Sequence, residues 1–171
     1  TLATIQQARA RIAGYVRHTP LLPAPSLRSD MPAQLRLKLE NLQVTGSFKA
    51  RGVFNTLLQL NTEERARGVI TASGGNHGAA LAYGAWRLGI PATIFLTAHA
   101  SADRVARVTM WGAQVRQHGQ VWDDAHAAAT EYAQTAGATY VHPFDADRTV
   151  VGQGTLGLEL LEDVPAIDCV L

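Results

Sequence analysis

The sequence predicts an α/β protein built on a parallel β-sheet. Short runs rich in β-branched residues alternate with longer runs of helical periodicity, and each gap between β-rich runs leaves room for one helix. Right-handed crossovers place the loops that follow the strands at one edge of such a sheet, where α/β proteins bind ligands. We therefore expect the functional residues at the carboxyl ends of the strands.

The individual elements follow this alternation along the chain. Helices are predicted over residues 5–14, 48–60, 76–88, 102–111, 123–134 and 150–161. Strands are predicted over residues 35–40, 68–71, 92–96, 113–116, 139–142 and 167–171. Thr4 is the expected N-cap of the first helix, because a threonine oxygen accepts from the first free N–H groups. The segment 18–32 is predicted to be extended, since its prolines interrupt regular helix.

Composition and charge exclude several classes of protein. The 171 residues carry a net charge of +1 with no basic face, so no nucleic-acid partner is expected. The single cysteine, Cys169, excludes a disulfide framework, and its apolar neighbours predict a buried strand. No signal peptide and no apolar run of about 20 residues is found, so no membrane partner is expected. His99, His118, His126 and His142 show no i, i+4 pairing and no clustered acids accompany them, which argues against a metal site. These features predict a soluble, cytoplasmic protein.

The segment 46–52 (GSFKARG) joins a predicted strand to a predicted helix and places Lys49 in the first helical turn. A helix N-terminus carries partial positive charge, which disfavours a cation and lowers the lysine pKa. Partial burial lowers the pKa further. A neutral amine near pH 7 is what Schiff-base chemistry requires. The alternative is a surface lysine at the start of a helix.

The segment 73–78 (SGGNHG) joins the next strand to the next helix. Its small residues allow backbone N–H groups to approach a ligand, and the helix dipole favours an anion such as a substrate carboxylate. A phosphate is less suited, because neither a P-loop nor a G-x-G-x-x-G spacing is present. The alternative for Asn76 is a helix N-cap.

Together these two segments resemble the fold-type II family of pyridoxal phosphate (PLP) enzymes, in particular the serine/threonine dehydratases. Four other runs fit the same pattern in the same order: 18–21 (HTPL), 38–43 (KLENLQ), 142–145 (HPFD) and 152–155 (GQGT). The resemblance implies a three-layer αβα fold with parallel sheets, similar to the tryptophan synthase β subunit. It also implies the cofactor PLP, a small amino-acid substrate and, since dimers are common in the family, a homodimer.

The resemblance also implies roles for individual residues. Lys49 would form the internal Schiff base with PLP and then remove the substrate α-proton. Phe48 would pack against the pyridine ring, and Asn76 would donate to the PLP 3′-oxygen. The substrate-binding residues implied are Ser73, Gly74, Gly75, Asn76 and His77. For His77 the alternative is a solvated or backbone-bonded histidine.

The domain organisation is likewise implied by the resemblance. Residues 1–45 would be an arm and the start of a large cofactor domain, and residues 46–143 a small α/β domain. Residues 144–171 would return to the large domain. In the family the last strand leads into a glycine-rich loop that holds the PLP phosphate, and this sequence is expected to stop before that loop.

The loop residues favour one reaction among those of the family. Members that racemise serine tend to place a second hydroxyl directly after the loop serine, whereas this chain has Gly74. Members that make cysteine usually carry threonine where this chain has His77. The sequence therefore predicts dehydration and deamination of threonine or serine to a 2-oxo acid and ammonia. The alternatives are a racemase or β-replacement enzyme, and a non-catalytic fragment that binds a small anion or a partner.

Residues 152–155 have two interpretations at this stage. In the family this segment turns toward the active-site cleft, whereas its glycines would equally suit a close approach between helices.

Overall fold

The computed structural model describes residues 1–25 and 34–171. The strands are Leu21–Pro23 (β1), Arg36–Lys38 (β2), Val69–Ala72 (β3), Ala92–Leu96 (β4), Gln114–Gln117 (β5) and Thr139–Tyr140 (β6). The helices are Leu2–Ile12 (α1), Lys49–Leu57 (α2), Thr62–Arg67 (α3), Asn76–Leu88 (α4), Ala102–Thr109 (α5), Trp122–Ala136 (α6), Asp147–Gln153 (α7) and Thr155–Asp163 (α8). Two 3-10 turns, Glu40–Leu42 and Val44–Gly46, precede α2.

Four of the strands form a parallel sheet in the order β5-β4-β3-β6. β3 lies at its centre, with Val69 opposite Ala92 of β4 and opposite Thr139 of β6. Because all four strands run the same way, the segments that leave β3 and β6 lie at one edge. β1 and β2 instead form a separate antiparallel pair, in which Leu21 lies opposite Lys38.

Helices cover both faces of the parallel sheet. On one face, α2, α4 and α5 pack against residues such as Ile94 and Leu96, whereas α6 covers Ile70, Ala72 and Phe95 on the other. The side chains of β4 alternate between these two cores, as the two-residue period of a strand requires. The predicted three-layer αβα architecture is confirmed.

Two glycines bring α2 and α7 into close contact. A Cβ atom built on Gly152 would lie 2.6 Å from the Arg51 carbonyl oxygen and 2.8 Å from the Gly52 Cα atom. A Cβ atom on Gly52 would lie 2.7 Å from the Thr149 carbonyl oxygen. Of the two interpretations of segment 152–155, the structure therefore shows the close helix approach at Gly152.

Three predicted details of the N-terminal half differ from the structure. Thr1, not Thr4, is the N-cap of α1, with its side chain accepting from the Thr4 N–H. The helix predicted to run to residue 60 ends at Leu57. The unpredicted helix α3 follows, and it starts with a capping box in which Asn61 and Glu64 bond reciprocally.

Two predictions for the C-terminal part are also corrected. The helix predicted over residues 150–161 is two helices that meet at Gly154. Residues 167–171 form no strand, and Cys169 is exposed and not buried. A strand depends on backbone hydrogen bonds to a neighbour, and no described strand pairs with this segment.

Part of the extended segment predicted over residues 18–32 lies outside the described residues. Within residues 1–25 and 34–171, no helix combines the length and hydropathy needed to cross a membrane.

We expect Gly152→Ala to lower the free energy of unfolding by about 1–3 kcal/mol, because the new methyl group would overlap rigid backbone of α2. The matched control is Gly157→Ala in α8, where an added Cβ meets no atom within 4 Å. The control should raise stability by about 0.5–1 kcal/mol through helix propensity. Urea denaturation of the two variants measures both effects, and equal stabilities would contradict the close-contact account.

Candidate active site

Lys49 is the first residue of α2, and its amine lies beside the segment that leaves β6. Its Nζ donates to the carbonyl oxygen of Pro143 at 2.7 Å and sits 4.8 Å from the centre of the Phe48 ring. Burial lowers the pKa of Lys49 below its usual value, in the direction that the sequence predicts. The carbonyl contact holds the amine at the carboxyl edge of the parallel sheet.

The chain contains a second lysine, and its surroundings differ from those of Lys49. Lys38 Nζ lies 2.9 Å from Glu159 and 3.1 Å from Asp163, and it also donates to the Thr19 carbonyl oxygen. Lys38 is therefore paired with two carboxylates. No carboxylate pairs with Lys49 in the described part of the chain. Of the two lysines, only Lys49 has an amine suited to react as a nucleophile.

The helix that carries Lys49 is anchored by Arg51, which is 1% exposed. Its guanidinium bonds Glu40 through Nε at 2.9 Å and Nη2 at 2.7 Å, and Glu159 through Nη1 at 2.6 Å and Nη2 at 3.0 Å. Burial alone would lower the pKa of Arg51, but hydrogen bonds and charges from both carboxylates raise it. The first turn of α2 is thus fixed two residues from the Lys49 amine.

The turn before α2 contains strained backbone and polar atoms without partners. Thr45 has φ = 65°, and among the described residues it is the one non-glycine residue with positive φ. Such strain is uncommon for a β-branched residue and is found most often at functional sites. The buried hydroxyls of Thr45 and Ser47 have no hydrogen-bond partner in the described structure. The hydrogen-bonding capacity of both hydroxyls is therefore unused within the described part of the chain.

The loop Ser73–Gly78 leaves the central strand β3, as predicted. Gly78 is required there, because a Cβ atom at this position would lie 1.8 Å from the Ser73 carbonyl oxygen. The N-cap of α4 is Gly75, and no side chain caps this helix. The first N–H groups of α4 are therefore available to an anion at the sheet edge.

Asn76 is exposed at the first position of α4 and does not cap the helix, which answers the alternative raised by the sequence. Its Oδ1 accepts a hydrogen bond from Arg107 Nη2 at 3.1 Å. The same nitrogen donates to the Thr45 carbonyl oxygen at 3.3 Å. Arg107, on α5, therefore connects the turn before α2, which contains Thr45 (the lysine turn), to the loop 73–78 (the asparagine loop).

His77 is buried, with 2% of its surface exposed. Its Nε2 bonds the Val141 carbonyl oxygen at 3.1 Å, so this nitrogen carries the proton and Nδ1 is an unpartnered acceptor. Burial, together with the nearby charges of Lys49 and His142, lowers the pKa of His77 to about 4. The histidine is neutral at pH 7. The backbone bond fits the alternative interpretation, and contact with substrate stays a prediction.

An aromatic cluster borders the same edge of the sheet. Trp122 Nε1 donates to the Ala72 carbonyl oxygen at 2.8 Å, directly before the asparagine loop. The Trp122 ring stacks on His126 at 4.7 Å, and Phe144 lies 4.7 Å from His142. Burial lowers the pKa of His142, and His126 lowers it further. The surroundings on this side of the site therefore favour the uncharged form of His142.

The structure brings the predicted site residues to one edge of the sheet. Lys49 and His77 both bond segment 141–143, and Asn76 is linked to the lysine turn through Arg107. Sequence reasoning missed Thr45, Ser47 and Arg107. Ser47 and Thr45 lie beside the lysine motif, but nothing in the sequence shows their burial. Arg107 lies 31 residues from Asn76, so only the fold reveals their contact.

Residues 12–171 match the family described as "Pyridoxal-phosphate dependent enzyme". The chain belongs to this family. Its cofactor is pyridoxal 5′-phosphate, and the residues at the sheet edge fit that group. Among the described residues, Lys49 has no carboxylate partner, and the hydroxyls of Thr45 and Ser47 and Nδ1 of His77 have no hydrogen-bond partner. Together they offer the amine and polar atoms that a phosphorylated pyridine aldehyde requires.

Individual relatives cover the whole chain. It is 40% identical to the L-threonine ammonia-lyase of Thermotoga maritima, over 100% of this chain and 43% of that protein. It is also 40% identical to a serine racemase of Oryza sativa subsp. indica, over 98% of this chain and 50% of the relative. The structure of maize serine racemase superimposes with a TM-score of 0.90 at 37% identity, covering 97% of this chain and 50% of that one. The chain thus spans about half the length of the relatives it matches.

The buried His77 predicts a specific acid sensitivity. Its pKa is about 4 in the folded protein and about 6.5 when unfolded, so protons bind the unfolded state preferentially as pH falls through this window. Between pH 7 and pH 5 the free energy of unfolding should therefore fall by about 2 kcal/mol from this residue alone. Urea denaturation of the cofactor-free protein at both pH values measures it.

In the variant His77→Asn this contribution should disappear, and the stability difference between the two pH values should shrink by about 2 kcal/mol. His118→Asn, at an exposed position, serves as the control and should retain the acid sensitivity because His77 remains in place. An unchanged pH dependence in His77→Asn would contradict the neutral, buried state of this histidine.

Proposed function

We propose that the protein to which this chain belongs dehydrates and deaminates L-threonine or L-serine, giving a 2-oxo acid and ammonia. The observation that carries the proposal is Lys49, a partly buried lysine at the carboxyl edge of the sheet that pairs with no carboxylate of residues 1–25 and 34–171. When bound, the cofactor supplies the electron sink that stabilises negative charge at the substrate Cα atom.

Lys49 Nζ would hold the cofactor, and the same amine would accept the proton from the substrate Cα atom. Burial lowers the pKa of Lys49 and so favours the neutral, proton-accepting form of the amine relative to a fully solvated lysine. The Pro143 carbonyl oxygen orients the amine by accepting its hydrogen bond at 2.7 Å. Phe48, whose ring lies beside the amine, provides an apolar contact for the face of the pyridine ring.

The uncapped N-terminus of α4 binds and orients the substrate carboxylate. Free N–H groups at this helix end, together with the Ser73 hydroxyl, supply the donors that a carboxylate accepts. Gly74 and Gly75 leave room for its approach, and the amide of Asn76 donates to the cofactor oxygen. His77 holds the start of α4 in place through its hydrogen bond to the Val141 carbonyl oxygen.

Gly74 favours elimination over racemisation. Racemisation needs a second group that returns a proton to the opposite face of Cα, and glycine has no proton to give. Loss of the β-hydroxyl as water needs no such group. Serine racemisation is the second candidate, because the rice serine racemase is as similar to this chain as the Thermotoga ammonia-lyase.

We expect Lys49→Ala to lower 2-oxo acid production from L-threonine and L-serine by at least about 100-fold, the smallest effect typical of removing a general base. Lys49→Arg should be equally inactive, because a guanidinium keeps its proton at neutral pH. Thermal unfolding checks that both variants fold. Full activity in either folded variant would refute the proposal.

The role of residue 74 has its own test. Gly74→Ser should add D-serine formation from L-serine, since a hydroxyl is then placed at the loop where a proton donor is missing. A Cβ atom at this position would lie 3.2 Å from Leu96 Cδ2 and 3.4 Å from the Arg104 side chain, so these two side chains must shift slightly to admit it. Gly75→Ser, where an added Cβ meets no atom within 4 Å, is the matched control and should give no D-serine. Equal racemisation by the two variants, or by the unaltered protein, would contradict this account of specificity.

A further inference from the structure

Arg107 is an exposed residue of α5 that contacts both loops of the site. Its Nη2 donates to Asn76 Oδ1 at 3.1 Å and to the Thr45 carbonyl oxygen at 3.3 Å. A guanidinium has only donors, so the asparagine atom that it contacts must be the carbonyl oxygen and cannot be the amide nitrogen. The contact therefore fixes which end of the Asn76 amide faces α5.

The opposite end of the amide is left for a ligand. Among the described residues, the hydrogen bond made by the Asn76 side chain is the one to Oδ1, and Nδ2 donates none. Asn76 is exposed and does not cap its helix, so its own helix does not hold the amide in one orientation. Without Arg107 the amide would be free to rotate and to present its oxygen or its nitrogen.

We propose that Arg107 is a positioning residue, which holds Asn76 Oδ1 so that the amide NH₂ group is presented to the bound cofactor. This inference rests on the proposed function, in which Asn76 donates to a cofactor oxygen. The positive charge on Arg107 also polarises the amide and makes its NH₂ group a stronger donor toward an oxygen that carries negative charge.

The second contact of Arg107 explains how the guanidinium itself is held. Thr45 lies in the strained turn directly before the lysine helix, and its carbonyl oxygen accepts from the same nitrogen as Asn76. Arg107 therefore fixes the position of the Asn76 amide relative to the turn that precedes Lys49. The contribution of Arg107 to the free energy of unfolding should be small, because interactions of an exposed charged side chain add little to stability.

The test is Arg107→Met in the protein expressed from its complete coding sequence, since methionine preserves the helix propensity of arginine and removes the donor. A weaker donor at the cofactor oxygen disfavours its anion. The pH midpoint of the visible absorbance band of the bound cofactor should therefore move to higher pH. The dissociation constant of the cofactor and kcat/KM should each worsen by about ten-fold, the size of one ordinary hydrogen bond. Arg107→Lys should recover part of each loss.

A double-mutant cycle with Asn76→Ala distinguishes positioning from an independent role. If Arg107 acts through Asn76, Arg107→Met should have no further effect on the spectrum, on cofactor affinity or on kcat/KM once the amide is absent. Arg87→Met, at an exposed position in the last turn of α4, is the control for removing one surface charge and should leave all three unchanged. Thermal unfolding of the cofactor-free protein should be the same for all single variants, since weaker cofactor binding itself lowers the stability of the bound form.

Two results would overturn the inference while leaving the proposed function intact. One is a visible band and an activity that are unchanged in Arg107→Met. The other is an equal loss from Arg107→Met with and without Asn76, which would show an effect of Arg107 that does not pass through the amide. Absence of any cofactor band in the unaltered protein would overturn both this inference and the proposed function.

Discussion

The buried guanidinium of Arg51 is the interaction on which the rest of the site depends. It bonds Glu40 and Glu159 through two nitrogens each, and those carboxylates in turn bond Thr19 and Lys38. Burial alone would raise the pKa of Glu159, but Arg51 and Lys38 hold it below its usual value, so the acid stays charged. A buried ion pair contributes little net stability compared with apolar packing, yet loss of one partner is strongly destabilising. The network therefore specifies where α2 begins, and with it the position of Lys49.

The same network separates the two lysines of the chain into different chemical roles. Lys38 completes the charge balance around Glu159 and Asp163, which makes it a structural cation. Lys49 is two residues from Arg51 on the same helix, but its amine contacts no carboxylate of the network. It donates to the Pro143 carbonyl oxygen, in the segment that follows β6. A carbonyl accepts a hydrogen bond from a neutral amine as well as from an ammonium group, so this contact allows the lysine to lose its proton.

The sequence predicted the features that depend on local pattern. The alternation of elements, the parallel sheet and the position of Lys49 in a first helical turn are all confirmed. The errors have two physical origins. Helix ends depend on capping contacts that the pattern of apolar residues does not show. The N-cap of α1 is therefore Thr1 where Thr4 is predicted, and the helix that begins at the capping box of Asn61 is not predicted. A strand depends on a partner that pattern alone does not supply, and so residues 167–171 were wrongly assigned. Arg107 was missed because its contacts join residues far apart in the chain.

The central claim is that Lys49 is the residue that binds the cofactor covalently. The most direct test is borohydride reduction of the protein with bound PLP, followed by proteolysis and mass spectrometry of the lysine-containing peptides. The account predicts that the pyridoxyl group is found on Lys49 and that Lys38 remains unmodified. A pyridoxyl group on Lys38, or on no lysine of this chain, would contradict the account.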